Sequence, residues 1–222
     1  MTRARARAPR ADAQPPAEET TMDRTTLDAY DRHAADYARE WAEQPAPDDM
    51  YALLERYFEP GSTVDIGCGA GRDVAWLASR GFDACGYDGS ASLVAEARRG
   101  HPALRFEQAL LPALAGVPSG AFRNVLCETV IMHLPSQDVD AALARLVELL
   151  APGGTLYLSW RVASDGAQRD GRGRLYAVVE PARVHAALGD ACDVLFEQEK
   201  VSESSGKCVR RLVVRKRARA AG

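Results

Sequence analysis

The chain has 222 residues, of which 46% are hydrophobic and 27% are charged, and this is enough apolar material for one filled core. A formal net charge of -3 gives no general attraction to phosphate backbones or anionic membranes, and no apolar run approaches the roughly 20 residues that cross a bilayer. Five cysteines without a Cys-x-x-Cys pair argue against a disulfide framework or a zinc site and predict reduced thiols in the cytoplasm.

Two segments precede the first strand. Residues 1–22 begin with alternating arginine and alanine and then turn polar and proline-rich, which predicts a disordered extension, with Met22 as an alternative start. Residues 23–60 predict an N-terminal cap of two helices, because apolar residues recur at spacings of three and four. The first helix carries Leu27, Tyr30, Ala34, Tyr37 and Trp41, and the second follows Pro47 with Asp48 or Asp49 as its cap.

Residues 61–217 predict a Rossmann-like core in which strands and helices alternate. Strands are expected at 64–66, 84–87, 104–107, 124–128 and 155–160, and helices at 71–79, 90–98 and 136–150. An extended run at 175–179 is expected after an arginine-rich loop, followed by a short helix after Pro181. Strands separated by helices of this length pair in parallel through right-handed crossovers. Two final runs, 193–201 and 208–216, are joined by a short turn, which permits only antiparallel pairing. The predicted fold class is α/β, a doubly wound, mostly parallel sheet closed by a C-terminal hairpin.

The segment Val64–Gly71 ends a predicted strand with Asp65 and with glycines at 67, 69 and 71. In a dinucleotide fingerprint the third glycine comes one position later, and the helix start faces a pyrophosphate. A carboxylate at Asp65 would repel a pyrophosphate and attract a cation. Asp88, at the end of the next strand, is placed to accept hydrogen bonds from a ribose. The pattern predicts a cationic nucleoside without phosphates, such as S-adenosylmethionine, and argues against an NAD-dependent oxidoreductase.

Four segments resemble the successive motifs of class I S-adenosylmethionine-dependent methyltransferases, and the resemblance extends over residues 30–216. They are Asp65-Ile66-Gly67-Cys68-Gly69-Ala70-Gly71, Asp88, Cys127-Glu128-Thr129-Val130-Ile131-Met132-His133-Leu134 and Leu150-Ala151-Pro152-Gly153-Gly154. The resemblance implies a seven-stranded sheet, S-adenosylmethionine as cofactor and methyl transfer to an O, N or S atom of a small molecule. A cofactor-binding regulator on the same fold is the non-enzymatic alternative.

The resemblance also assigns cofactor contacts. It places Asp65 and the backbone of Gly67 and Gly69 at the methionine end and Asp88 at the ribose. Gln108 takes the position where many members have an acidic residue for the adenine, and Arg72 either touches the cofactor or caps its helix. The full set of expected cofactor residues is Asp65, Gly67, Cys68, Gly69, Gly71, Arg72, Asp88, Gly89, Ser90, Gln108, Ala109, Glu128 and Thr129.

Catalytic and substrate residues are expected in the segments beyond the sheet. His133 follows the fourth strand, where it could take a proton from the acceptor or stabilise the turn. Tyr30 and Tyr37 either cover the site or pack in the core. Arg161 and Arg174, with Tyr176, either grip an anionic substrate group or form a solvated loop. The C-terminal arginines either contact RNA or protect an edge strand, and the second interpretation is preferred.

Overall fold

The computed structural model describes residues 22–163 and 166–218, and the predicted disordered extension, except Met22, lies outside them. The helices are α1 Arg24–Arg32, α2 Ala34–Glu43, α3 Asp48–Tyr57, α4 Arg72–Ser79, α5 Ala91–Gly100, α6 Val139–Leu149 and α7 Pro181–Leu188. The strands are β1 Ser62–Ile66, β2 Asp83–Asp88, β3 Arg105–Gln108, β4 Phe122–Cys127, β5 Leu150–Arg161, β6 Gln168–Arg169, β7 Leu175–Tyr176, β8 Cys192–Val201 and β9 Cys208–Lys216.

Seven of these strands form one sheet in the order β3-β2-β1-β4-β5-β9-β8. The first five run parallel, while β9 is antiparallel to both β5 and β8. The doubly wound fold and its closing hairpin are therefore confirmed. The chain moves outward from β1 to β3 and then returns to place β4 on the other side of β1. That reversal leaves a crevice at the carboxyl ends of β1 and β4, where open α/β sheets bind ligands.

Alternate residues of the central strands face two different cores. Val125 packs with the residues of α6 and α7, and its neighbour Leu126 packs with those of α3 and α4. The same alternation separates Val214 from Val213 in β9. Because successive strand side chains point to opposite faces, both faces of the sheet are covered by helices. This double burial holds the central strand ends in fixed positions.

The N-terminal segment contains three helices before β1, and the prediction of two was wrong. The amphipathic pattern from Leu27 to Trp41 is interrupted at His33, whose backbone (φ -115°, ψ 20°) leaves the helical region. Aromatic packing continues across the break, with the rings of Tyr30 and Tyr37 5.2 Å apart. The apolar period predicted the buried face correctly but carries no signal for a one-residue interruption.

Three further boundaries differ from the prediction. Residues 136–138 form a 3-10 turn, so α6 begins at Val139, not at Ser136. Strand β5 begins at Leu150, which pairs with Phe122, so the Pro-Gly-Gly segment is part of the strand. The extended run expected after Arg174 contributes only β7, which pairs with β6 in a separate hairpin. We call this hairpin, residues 166–176, the arm.

Candidate functional site

A cavity of about 620 Å³ opens at the carboxyl ends of β1, β2 and β4, within the roughly 300–1,000 Å³ typical of ligand sites. Helices α1 and α2 and the arm enclose it. The expected site residues that line it are Tyr30, Asp65, Gly67, Cys68, Gly69, Arg72, Asp88, Gly89, Ala109, Glu128, Thr129, His133, Arg161, Arg174 and Tyr176. Those that do not line it are Tyr37, Gly71, Ser90 and Gln108.

The glycine turn requires glycine for steric reasons. Gly67 has φ +81°, and a Cβ on it would lie 2.3 Å from Cγ2 of Val130. Gly69 has φ +53°, and a Cβ there would lie 2.7 Å from the Trp41 ring. Both positions combine a left-handed backbone with a neighbour at contact distance. The turn is therefore packed between α2 and the segment that follows β4, and its backbone lies beside the cavity.

Asp88 is held at the end of β2 by backbone donors. The amides of Gly69 and Ser90 each donate a hydrogen bond of 2.8 Å to one of its carboxylate oxygens. Since an ionised carboxylate can accept about four hydrogen bonds, each oxygen keeps a lone pair for a ligand hydroxyl. Burial raises the pKa of Asp88 to about 6, against the opposing effect of these amides.

Asp65 lies at the end of β1 and is 3% exposed. Its side chain has no hydrogen-bond partner among the residues that the structure describes, and it borders the cavity. Burial, followed by the negative charges of Asp73 and Asp88, raises the pKa of Asp65 well above its usual value. Glu128 adds a further, half-buried carboxyl, which accepts a hydrogen bond from the Ser159 hydroxyl. This end of the cavity is therefore rich in carboxyl groups.

Arg72 is the cation of that acidic end. Its guanidinium forms a two-point contact with Asp73, with distances of 2.8 and 3.0 Å. Asp73 also accepts a hydrogen bond of 2.8 Å from the Tyr51 hydroxyl. No side chain caps α4, whose N-cap is Gly71. Arg72 therefore faces the cavity and does not cap α4. Because Arg72 pairs with Asp73, Asp65 has no ion-pair partner within the described chain.

The adenine position differs from the expectation. Gln108 donates a hydrogen bond of 2.9 Å to the carbonyl of Gly89 and is exposed outside the cavity. Ala109 follows it and lines the cavity, as does the apolar Leu111. Gln108 therefore fixes the backbone beside Asp88 instead of facing the cavity, and the cavity wall next to it is apolar.

His133 is buried with both ring nitrogens engaged. Nδ1 contacts the Leu175 carbonyl oxygen, which can only accept, so Nδ1 carries the proton in the neutral ring. Nε2 is then the acceptor for the Tyr30 hydroxyl at 3.0 Å. Burial, followed by the positive charges of Arg174 and Arg161, lowers the pKa of His133 to about 4. The ring is neutral at pH 7 and fixes the direction of the Tyr30 hydroxyl.

The arm is attached to the N-terminal helices by charged and aromatic contacts. Arg169 forms two hydrogen bonds with Asp23 at 2.7 and 2.8 Å, and Arg172 forms two with Glu40 at 3.2 and 2.6 Å. Arg174 lies 4.7 Å from the ring centre of Tyr37. Tyr37 is 1% exposed, so the core-packing alternative describes it. These contacts close the cavity between α1, α2 and the arm.

Several cavity residues were not identified as site residues from the sequence. They include Met22, Leu27, Trp41, Leu111, Met132, Ser202, Ser204 and Ser205. The sequence placed Trp41 on the apolar face of the first predicted helix. In the structure its ring packs over Gly69 of the glycine turn, which is a tertiary contact. Ser204, in the β8–β9 turn, lies 3.5 Å from a guanidinium nitrogen of Arg72. The Arg72–Ser204 contact joins residues 132 positions apart, and the contact of Trp41 with Gly69 also joins separate elements, so no local pattern reports them.

Residues 22–163 and 166–218 hold no cluster of side chains suited to a metal ion and no helix long and apolar enough to span a bilayer. The five cysteines are free, and four of them are buried. Burial of the thiols thus holds for four of the five, and Cys208 is half-buried.

Comparison with known proteins adds independent information. Residues 63–154 match a family model described as a methyltransferase domain. A trans-aconitate 2-methyltransferase from Deinococcus radiodurans is 39% identical over 115 residues, 50% of this chain and 42% of that protein. A ubiquinone biosynthesis O-methyltransferase from Psychrobacter cryohalolentis is 36% identical over 102 residues, 43% of this chain and 39% of that protein. The chain thus aligns with less than half the length of these relatives.

A solved structure shares the fold over most of the chain. It is the Burkholderia thailandensis 1,6-didemethyltoxoflavin-N1-methyltransferase with bound 1,6-didemethyltoxoflavin and S-adenosylhomocysteine. The TM-score is 0.69 at 20% identity, with 87% of this chain and 88% of that chain covered. Its likeness establishes the fold, and the family model covers the glycine turn and the ends of β1, β2 and β4. Residues 63–154 thus match the methyltransferase-domain family, and the chain has the fold of an S-adenosylhomocysteine-bound methyltransferase.

Proposed function

We propose that this protein transfers the methyl group of S-adenosylmethionine to an O, N or S atom of a small anionic molecule. The observation that carries the proposal is the carboxyl group of Asp65 beside the glycine turn, which has no ion pair within residues 22–163 and 166–218, in a cavity whose far side holds Arg161. One end suits a cationic cofactor, and the other suits an anionic substrate. Relatives named for trans-aconitate and for a ubiquinone precursor pathway support a small-molecule substrate.

The residues present fit S-adenosylmethionine. The carboxyl groups of Asp65 and Glu128 suit its ammonium and sulfonium charges, and Arg72 suits its carboxylate. The free lone pairs of Asp88 suit the two ribose hydroxyls, and a Cβ at Gly67 or Gly69 would collide with the walls of the turn. The bound cofactor supplies an electrophilic methyl group, so the protein needs mainly to align an acceptor with it and to exclude water.

The Tyr30–His133 pair is suited to handling a proton from the acceptor. Burial raises the pKa of Tyr30 above its usual value, so its hydroxyl stays protonated and donates to Nε2 of His133. The phenol oxygen keeps a lone pair for a substrate O–H or N–H. A proton passed to Tyr30 moves the phenol proton on to His133, which becomes cationic. With a pKa of about 4, His133 is a weak base, so the relay suits a hydroxyl that turns strongly acidic as its bond to carbon forms.

A nucleic-acid substrate is not favoured by the charge distribution. The C-terminal arginines within the described chain are neutralised by carboxylates rather than presented as a basic surface. The ion pairs are Arg210 with Glu197 and Glu199, Arg211 with Asp49, Arg215 with Glu59, and Arg217 with Asp193. Strand β9, which carries three of these arginines, is paired with β5 on one side and β8 on the other, so the preferred interpretation, that they protect an edge strand, was wrong.

The proposed activity is tested by adding small acids, phenols and amines to the protein with S-adenosylmethionine and measuring release of S-adenosylhomocysteine. We expect release with at least one acid, and a loss of release when Asp65 is replaced by Asn. Binding of the cofactor without release for any acceptor would support the alternative of a cofactor-binding regulator and would contradict the proposed transfer.

A further inference from the structure

A second cavity of about 240 Å³ adjoins the first at the base of the arm. The two cavities share Met132, Arg161 and Tyr176 in their walls, and Gln168 adds a polar side chain to the smaller one. The smaller cavity contains none of the residues expected to touch the cofactor. It is therefore a side chamber of the substrate end, and the guanidinium of Arg161 stands at the junction.

Arg161 differs from the other arginines of this region in its partners. Arg169, Arg172 and Arg174 each form an ion pair with a carboxylate, at 2.7, 2.6 and 2.7 Å respectively. Within residues 22–163 and 166–218, the side chain of Arg161 has neither a carboxylate partner nor a hydrogen bond. Its guanidinium instead lies 4.9 Å from the ring centre of Tyr176, a cation–π arrangement that leaves the edge of the fork available.

A half-buried cation without a counter-ion is unfavourable because burial removes part of its hydration. Among the described residues, the unmatched charge at this chamber is the single positive charge of Arg161, since Asp170 already neutralises Arg174. A single guanidinium fork matches a planar carboxylate in both charge and geometry. A phosphate dianion would leave one negative charge without a partner in this chamber. The observations therefore favour a carboxylate.

We infer that Arg161 and the side chamber form a subsite for a carboxylate of the substrate that is distinct from the atom receiving the methyl group. This inference rests on the proposed methyl transfer. His133 contacts one side of the substrate end, and its ring centre lies 4.9 Å from that of Tyr176, whose ring also meets Arg161. The substrate is then a small acid that extends along Tyr176, with its acceptor atom near Tyr30 and its carboxylate at Arg161.

When the acceptor is itself a second carboxylate, the transfer needs no base. The acceptor oxygen forms the new O–CH3 bond with its lone pair, the S–CH3 bond breaks, and the electron pair remains on sulfur. The anionic acceptor becomes a neutral ester, the sulfonium becomes a neutral thioether, and no proton moves. A small dicarboxylate therefore needs no base, whereas a hydroxy acid would use the Tyr30–His133 pair.

The test is calorimetric titration of the protein saturated with S-adenosylhomocysteine. The probes are trans-aconitate, fumarate, glutarate, 4-hydroxybenzoate and phenyl phosphate, each acid being paired with its primary amide. The variants are Arg161→Gln and Arg161→Lys. Arg183→Gln serves as the matched control, because Arg183 is a surface arginine paired with Asp140, away from both cavities.

We expect at least one carboxylate to bind the wild-type complex and to bind Arg161→Gln at least tenfold more weakly, as expected for a lost charged hydrogen bond. The carboxylate affinity of Arg161→Lys should lie between those of wild type and Arg161→Gln. Arg183→Gln should bind the carboxylate as tightly as wild type, and the affinity for the amides should be the same in all variants. Equal carboxylate affinity in Arg161→Gln and wild type, tighter binding of phenyl phosphate than of every carboxylate, or binding of no acid would overturn the subsite. Failure of S-adenosylhomocysteine itself to bind would instead refute the proposed function.

Discussion

Replacing Gly67 by alanine tests the packing of the glycine turn against the segment that follows β4. An L-residue at φ +81° costs ~1–2 kcal/mol, and a Cβ placed 2.3 Å from Val130 adds an overpacking cost of ~1–3 kcal/mol. We therefore expect Gly67→Ala to lower the free energy of unfolding by about 2–5 kcal/mol. In a chain of this length the melting temperature should fall by roughly 2–4 °C per kcal/mol.

Gly116→Ala is the matched control for this change. Gly116 has nearly the same φ, +83°, but a Cβ there would meet no atom within 4 Å. The change in unfolding free energy of Gly116→Ala therefore contains only the cost of the left-handed backbone, less the ~0.4–1 kcal/mol gained because the unfolded chain becomes less flexible. Chemical denaturation of both variants measures the difference. Equal destabilisation of the two would show that the turn is not packed against Val130 and would refute the reasoning.

A double-mutant cycle isolates the contact. Val130→Ala removes the methyl group that the new Cβ would meet, so adding it to Gly67→Ala should restore ~1–3 kcal/mol relative to additivity. The backbone cost should persist in the double variant. Strict additivity would mean that the two residues do not touch.

Three further outcomes are expected. Asp88 must be ionised to accept ribose hydroxyls, and its pKa is about 6. The affinity for S-adenosylhomocysteine should therefore fall about tenfold from pH 7.5 to pH 5, and binding should release a proton in calorimetry. An affinity that does not change with pH would contradict this. Trp41, the tryptophan that lines the cavity among the described residues, should give a fluorescence change on ligand binding that Trp41→Phe abolishes; an unchanged signal would place the ligand elsewhere. Tyr30→Phe should lower turnover of a hydroxyl substrate at least tenfold while leaving S-adenosylhomocysteine affinity unchanged, and full turnover would exclude the proton relay.

The sequence predicted the strands and the acidic residues that end them, because these features are local. Asp65 and Asp88 sit at fixed offsets from the glycine turn, and parallel pairing brings the carboxyl ends of β1 and β2 together. The antiparallel position of β9 followed from the short turn after β8. For these elements, hydrophobic period and connection length were sufficient.

What the sequence did not predict depends on contacts between distant segments. The arm is stabilised by Asp170, which accepts hydrogen bonds from the amides of Arg172 and Arg174, so a charged loop forms a compact hairpin. Gln108 turns away from the cavity to bond Gly89. The partners of each arginine are likewise set by tertiary packing, and for this reason the sequence could group Arg161 with Arg174 but could not separate their roles.

The most direct test of the central claim is calorimetric binding of S-adenosylmethionine to wild type, Asp65→Asn and Asp88→Asn. Asp140→Asn is the control, because Asp140 is an exposed carboxylate on α6. We predict that the wild type and the control bind equally, and that Asp65→Asn and Asp88→Asn each weaken binding by ~1–3 kcal/mol, the scale of a lost charged hydrogen bond. Wild-type affinity in both site variants would contradict the account.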